Sequence, residues 1–542
     1  MNGSSAVSPL SYEPADTSER ILDITVGDAL RTAAANWPDR PALIEGLSEP
    51  AARRRWTFSQ ALQEADNVGR ALALRFRPGE YVAIWAANSP EWFFVEFGAA
   101  LAGLTLVTVN PAYLSAELGF VLKQSRACGV LLQDHYRGRD LLAEVAMAQQ
   151  TSPGLREIIP LSTWPEFMAS GAEKGMLPKV LPQDVAQIQY TSGTTGAPKG
   201  ARLTHRNLVN NGRLYARTIG ARETDIWVNP MPMFHTAGCG LCTLGALQTG
   251  GAQVMPPGFD PELVLDLLEQ ERGSIVLSVP TMLQRILDAS SIGGRDLSSW
   301  RLVSLGGAPV PPALIRRVEQ RGVTAVIGYG QTEASPYLTH TLPDDPHPDW
   351  VNTVGRPLPL TEIKIVDPHT GEILPRGEVG EICARGYGVM KDYFENPGGT
   401  AAAIDSERWL HTGDLGSLDE HGYCRLHGRI KDLIIRGGEN IYPREIEDVL
   451  HTHPAILGAS VVGVPDADWG EIPVAFVQAK PEARPSSEEL EAFSRERLAS
   501  YKVPRIWRFV DQFPQTASGK IQKFALREIY LGAGPCGIYD RS

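Results

Sequence analysis

From Glu80 to Ser125 the chain reads strand, helix, strand, helix, and this alternation restricts the fold more than any other feature. "EYVAIWAAN" (80–88) holds a short apolar run without polar alternation, the pattern of a strand covered on both faces. "SPEWFFVEFGAALAGL" (89–104) has helix length and opens on Ser89-Pro90, a capping residue followed by the proline tolerated at a first helical position. "TLVTVN" (105–110) is the next strand and "SAELGFVLKQS" (115–125) the next helix. Parallel strands need crossovers of this length, so the pattern predicts an α/β fold with helices covering a mainly parallel sheet. Upstream, "ITVGDALRTAAANW" and "WTFSQALQEADNVGRALALRF" have helical spacing, the second opened by Thr57 or Ser59.

The same alternation returns between residues 225 and 309, with "DIWVNPMP", "AQVMPP" and "SIVLSVP" as strands and "AGCGLCTLGALQTGG" and "DPELVLDLLEQER" as helices. After about residue 355 the character changes. "EIKIVDPHTGEIL", "GEVGEICARG" and "GYCRLHGRIKDLIIRGG" are short strands broken by turn residues, which predicts antiparallel, barrel-like sheet. From about 440 a small α+β unit follows. We expect a large domain over 1–430, β-rich at about 355–430, and a small domain over 431–542.

Composition excludes several classes. The net charge of −12 argues against nucleic acid as the main partner, because phosphate neutralisation needs a basic face. No run of about 18 uncharged apolar residues appears, so no transmembrane segment is expected. The polar start lacks a basic region followed by an apolar one, and six cysteines are too sparse for a disulfide scaffold, so a reducing cytoplasm fits. Cys239 and Cys242 form a lone CxxC without further ligands, which favours packing over metal or redox chemistry. "ARRR" (52–55) is expected as a solvated loop. Monomer and homodimer both stay open.

"YTSGTTGAPKG" (190–200) concentrates hydroxyls, glycines and one lysine. A mobile surface loop is one reading. A GxxxxGK[ST] phosphate loop fails on spacing, since Lys199 follows Pro198 and precedes Gly200. A different phosphate cradle is the third, with glycine backbone N–H groups and hydroxyls converging on an anion.

This loop resembles the signature of the acyl-adenylating enzymes, the group of acyl-CoA synthetases, peptide-synthetase adenylation domains and beetle luciferases. The other family motifs follow in order: "MPMFHTAGCG" (231–240), "GGAP" (306–309), "GYGQTE" (328–333), "HTGDLG" (411–416), "GRIKDLIIRGGENIYPREIE" (428–447) and "PQTASGKIQK" (514–523). Together they span roughly residues 30 to 530. The resemblance implies ATP-dependent activation of a carboxylic acid to acyl-AMP, release of pyrophosphate, and thioester formation with coenzyme A.

The resemblance also implies roles. Thr191, Ser192, Gly193, Thr194, Thr195, Gly196 and Lys199 would hold the phosphates, and Gly307, Ala308 and Pro309 would form the adenine turn. Gly328, Tyr329, Gly330, Gln331 and Thr332 would continue the nucleotide site, with Tyr329 against the adenine face. Asp414 and Arg429 would take the ribose, while Glu333 and Thr191 would hold Mg²⁺. Lys520 would be the adenylation lysine, Lys431 the hinge, and Gly437 and Gly438 the lining of the coenzyme A channel. His235 would line the junction of nucleotide and acyl pocket; a general base is not needed, because a carboxylic acid is already ionised at neutral pH. Ala237, Gly238, Cys239, Gly306 and Pro336, with Gly330, would form the acyl pocket.

"MFHTAG" lacks the aspartate that anchors an amino-acid ammonium in peptide-synthetase domains, and "GGEN" after the hinge is retained, unlike many acyl-AMP ligases that load carrier proteins. The acid is therefore expected to be uncharged beyond its carboxylate, and coenzyme A is the expected acceptor. "VNPAYLSAEL" (109–118) and "GQTEASP" (330–336) resemble fatty-acyl ligases more than aryl ones, so a medium- or long-chain fatty acid is the expected substrate, with an aryl acid or a carrier-protein acceptor as the alternatives.

Overall fold

The computed structural model of the chain describes residues 9–171, 176–191, 198–515, 521–532 and 538–539. They pack as two compact units. Glu13–Ile363 with Ala384–His411 form the larger, and Met1–Tyr12, Lys364–Cys383 and Thr412–Ser542 the smaller. Packing thus groups residues 364–383 and 412–430 of the expected β-rich region with the terminal residues.

The larger unit holds two sheets with parallel cores. In the first, Val185–Thr191, Thr105–Val109, Tyr81–Trp85, Gly129–Leu132 and Glu157–Pro160 run parallel in that order. The antiparallel strands Lys199–Thr204 and Asp392–Tyr393 extend its edge. The second sheet has nine strands, with a parallel run through Thr324–Gly330, Leu302–Gly306, Ile275–Ser278, Ile226–Val228, Ala252–Met255 and Pro41–Glu45. This is the helix-covered, mainly parallel architecture the alternation predicts.

Local signals set the helix starts. Thr57, not Ser59, caps Phe58–Ala73, in a reciprocal capping box with Gln60. Ser89 caps Pro90–Leu101 by accepting from the Trp92 amide, and Pro90 needs no donor there. That helix is apolar nearly all round and is buried from Trp92 to Leu101.

The arginine run is not a solvated loop. Arg53 is fully buried, donating through Nη1 to Glu271 at 2.6 Å, through Nη2 to Gln270 at 2.7 Å, and through Nε to the Leu47 carbonyl at 2.7 Å. Only Arg54 and Arg55 face solvent, and both are paired. A charge run reads as solvated from sequence because its distant partner is invisible; a buried guanidinium is tolerated when its donors are met.

In the smaller unit, residues 414–418 pair antiparallel with Cys424–Arg429 in a hairpin. A six-stranded sheet follows, in which Ile456–Asp466 pairs antiparallel with Gly470–Ala479. Its core includes Ile446, Leu450, Val461, Val477, Leu490 and Trp507. Among the described residues no helix is long and apolar enough to cross a membrane.

Candidate active site

In the larger unit the motif residues gather where parallel strands end, the place at which open α/β sheets receive ligands. Val185–Thr191 runs into the glycine-rich loop, and Lys199 opens the returning strand, paired with Thr191. Thr191 Oγ1 donates to the Lys199 carbonyl at 3.4 Å. Ser192, Gly193, Thr194, Thr195 and Gly196 lie outside the described residues.

Leu302–Gly306 and Thr324–Gly330 run parallel with Gly306 opposite Gly328. Gly307 follows in the left-handed region (φ +77°), a turn that Ala308 and Pro309 continue. Tyr329 is buried near the end of its strand. A Cβ on Gly330 would lie 1.8 Å from the Pro336 carbonyl oxygen, so no side chain fits there. The Gln331 amide donates to that same carbonyl at 2.9 Å. Thr332 to Ala334 form a short 3₁₀ turn, and Gln331 Nε2 is buried without a partner among the described residues.

That turn presents Glu333, which is buried. The Tyr393 hydroxyl donates to Glu333 Oε1 at 2.6 Å, and Lys199 Nζ stands 5.0 Å from the centre of the Tyr393 ring. Burial, reinforced by the Glu333 charge, pushes the Tyr393 phenol well up, so it stays a donor at any ordinary pH. Glu333 Oε2 takes no hydrogen bond among the described residues. A hard carboxylate oxygen of this kind is the donor type that suits Mg²⁺.

His235, Ala237, Gly238 and Cys239 sit on the segment entering a π-helix, Ala237–Thr243, rather than the start of a plain α-helix. His235 Nδ1 accepts from the Ala237 amide at 3.3 Å, which ties the ring to the start of the π-helix. A Cβ on Gly238 would come 2.3 Å from the Pro232 carbonyl oxygen, so backbone contact requires glycine at that position. Cys239 and Cys242 are fully buried, and burial raises both thiols. Cys239 Sγ lies 3.2 Å from Gln189 Nε2, so it is tied to the sheet. Tyr337, absent from the sequence reading, packs its ring where a Cβ on Gly306 or Gly328 would fall, 2.6 Å away in each case.

In the smaller unit Asp414 and Arg429 face each other across the hairpin, with Arg429 Nε 3.1 Å from Asp414 Oδ1. Asp414 is placed by the turn before it. Thr412 Oγ1 accepts from the Asp414 amide at 3.1 Å and donates to the Ile382 carbonyl at 2.7 Å, and Gly413 takes φ +70°. Lys431 lies in the 3₁₀ turn just beyond Arg429; burial, with Arg429 and Lys523 nearby, lowers its ammonium against the opposing pull of Asp432 and Asp414. Gly437 (φ +58°) and Gly438 (φ +91°) make the turn between strands Ile434–Arg436 and Glu439–Ile441. The Gly437 amide donates to the Trp469 carbonyl at 2.8 Å, and a Cβ there would meet the Trp469 ring at 2.8 Å. Lys520 lies outside the described residues; Lys523, three positions on, pairs with Glu447 at 2.7 Å.

Sequence reading missed Tyr393, Tyr337 and Trp469. Each is one aromatic in an ordinary strand or turn context, and only contact with a motif residue singles it out.

Fold and strand-end geometry define an adenylate-forming enzyme. The chain belongs to the AMP-binding enzyme family: the AMP-binding enzyme model matches residues 30–394, and the AMP-binding enzyme C-terminal domain model matches residues 445–520. Within it the chain is an AMP-forming acid–thiol ligase. YngI of Bacillus subtilis (strain 168) is 39% identical over 540 residues, 94% of this chain and 97% of YngI. The mitochondrial medium-chain acyl-CoA ligase ACSF2 of Macaca fascicularis is 35% identical, over 96% of this chain and 90% of its own length. Among solved structures, ATP-bound MatB from Rhodopseudomonas palustris superposes with a TM-score of 0.84 at 29% identity, covering 94% of this chain and 99% of MatB.

Proposed function

We propose that this enzyme converts a medium- or long-chain fatty acid into its coenzyme A thioester by way of acyl-AMP. The observation that carries the reading is the Lys199–Tyr393–Glu333 chain at the strand ends, which sets a cation and a carboxylate beside the phosphate-loop strand. The name of the ACSF2 relative supports a medium-chain acid.

In the first step a carboxylate oxygen of the acid attacks the α-phosphorus of ATP, an O–P bond forms, and the bond to the β-phosphate oxygen breaks to release pyrophosphate. Charge builds on the phosphorus and on the leaving group, so fixed donors and cations must precede the reaction. Lys199 serves the departing phosphates, Lys520 the transferring phosphoryl group, and Asp414 with Arg429 the ribose. Glu333 and Thr191 would hold Mg²⁺, which when bound offsets phosphate charge. His235 borders the acid, and the Gly307–Pro309 turn and the Gly328–Gly330 strand end flank the adenine. In the second step the thiol of coenzyme A gives up its proton to solvent and its sulfur attacks the acyl carbonyl, a C–S bond forms, and AMP leaves with the pair of electrons of the broken C–O bond. The Gly437-Gly438 turn, with Trp469 beside it, lines the thiol's approach.

The catalytic division falls at 430/431, with Lys431 as hinge between a large domain over 1–430 and a small mobile one over 431–542. The five described cysteines, all free and buried, fit a reducing compartment such as the cytoplasm.

An aryl acid is the second reading, favoured by Tyr337, whose ring closes the space behind Gly306 and Gly328. Acid-dependent ATP–pyrophosphate exchange across a panel of medium-chain, long-chain and aryl acids decides between them. A maximum at fatty acids supports the first reading and a maximum at aryl acids overturns it. Exchange without subsequent thioester would move the acceptor from coenzyme A to a carrier protein.

A further inference from the structure

One ionisable side chain lies inside the buried helix Pro90–Leu101. Glu96 is 2% exposed, and its only partner among the described residues is Gln187, whose Nε2 donates to Glu96 Oε1 at 2.9 Å. Glu96 Oε2 is buried with no partner among the described residues. Among the described residues no ion pair reaches it, and burial pushes the carboxyl well above the usual carboxylate range.

From Gln187 the contacts continue. Gln187 Oε1 accepts from Gln189 Nε2 at 2.8 Å, and Cys239 Sγ lies 3.5 Å from the same oxygen. Gln189 Nε2 also reaches Cys239 Sγ at 3.2 Å, and Cys239 Sγ sits 3.4 Å from the His235 carbonyl. Gln187 and Gln189 share one face of the strand Val185–Thr191, whose last residue begins the described part of the phosphate loop. Cys239 and His235 lie on the π-helix segment bordering the proposed acyl site. A single buried polar chain therefore ties the foot of the loop to the wall of the acyl site.

We propose that Glu96 is a positioning residue for adenylation: through Gln187, Gln189 and Cys239 it fixes the strand Val185–Thr191, at whose end the phosphate loop begins, against the segment carrying His235. This rests on the reading of those two segments as the phosphate side and the acyl side. The two reactants must meet within a few tenths of an ångström of the productive geometry, so a slack link between them costs rate without touching either reactant. Glu96 makes no contact with substrate; it acts through the glutamines. A buried chain of this kind rigidifies only while every link is made.

The test compares Glu96→Gln, which keeps a neutral acceptor of the same shape, with Glu96→Leu, which removes the acceptor and fills the space. Gln189→Met breaks the same chain beside the loop and serves if Glu96→Leu fails to fold. Melting temperature, acid KM, ATP KM and kcat in ATP–pyrophosphate exchange are measured per folded molecule, with thioester formation from supplied acyl-adenylate as the second readout. Glu96→Gln is expected within twofold of the wild-type enzyme throughout. Glu96→Leu and Gln189→Met are each expected to lower exchange kcat/KM for the acid about tenfold while leaving thioester formation within twofold. A lowered melting temperature with unchanged exchange kinetics would show packing alone and overturn the proposal. Loss in Glu96→Gln equal to that in Glu96→Leu would overturn it too, since a hydrogen-bond chain tolerates the amide. Absence of acid-dependent exchange in the wild-type protein overturns the adenylation reading itself, and this proposal with it.

Discussion

The Tyr393 hydroxyl donates to Glu333 Oε1 at 2.6 Å, and the face of the same ring carries Lys199 Nζ at 5.0 Å from its centre. One tyrosine from an edge strand thus joins the end of the phosphate loop to the carboxylate proposed to hold Mg²⁺.

Tyr393→Phe keeps the ring under Lys199 and removes the donor to Glu333. A hydrogen bond to a charged group contributes about 1.5–3 kcal/mol, so the Mg²⁺ concentration for half-maximal exchange should rise roughly tenfold to a hundredfold. Tyr393→Ala also loses the ring face, adding about 0.5–1 kcal/mol at the Lys199 end. A Mg²⁺ titration of exchange, with EDTA-treated enzyme as the zero point, reads both.

Asp414 sits at the end of a chain of turn hydrogen bonds and accepts from Arg429. Asp414→Asn keeps the shape and removes the charge that would accept the ribose hydroxyls. ATP KM should rise roughly tenfold to a hundredfold while acid KM stays within twofold. Steady-state kinetics with each substrate varied in turn distinguish this from a general loss of activity.

Arg53 lies far from the motifs in sequence and is fully buried against Glu271. Breaking a buried pair from one side costs about 3–5 kcal/mol, and here somewhat less, because Arg55 also reaches Glu271. Arg53→Ala should therefore lower the urea midpoint by the equivalent of about 2–3 kcal/mol, with kcat/KM per folded molecule unchanged.

His205 and His340 are both buried, and burial lowers each from 6.5 to about 4 despite the opposing influence of nearby groups. His205 Nδ1 accepts from the Val26 amide at 3.3 Å. His340 Nδ1 donates to the Thr341 carbonyl at 2.6 Å, which leaves Nε2 to accept from Ser304 at 3.1 Å. Both rings are neutral in the folded chain and take up protons only on unfolding. Their contribution is therefore complete above about pH 6.5 and is lost as pH falls towards 4, at up to about 1.4 kcal/mol per pH unit for each ring. Urea midpoints measured from pH 7.5 to 5 should fall accordingly, and His340→Gln should flatten the slope.

The backbone layout was legible because its signals are local. Thr57, Ser89 and Asp260 cap helices through a side chain and an amide three residues away, and apolar runs mark the parallel strands without any tertiary knowledge. The motif residues were legible through family resemblance, since a Gly, Lys or Glu in isolation has many meanings. What stayed hidden depends on residues far apart in the chain. Arg53 reads as solvated until Glu271 is placed beside it, and Glu96 reads as one polar residue in an apolar helix until Gln187 meets it. Tyr393 and Trp469 carry no spacing signal at all.

The most direct test separates the two half-reactions in Lys520→Ala. Adenylation, read as acid-dependent ATP–pyrophosphate exchange, should fall by roughly two to three powers of ten, the cost of removing one preorganised charge from the transition state. Thioester formation from supplied acyl-adenylate and coenzyme A should stay within a fewfold of the wild-type rate. Equal loss of both half-reactions would contradict the assignment of Lys520 to the first step alone.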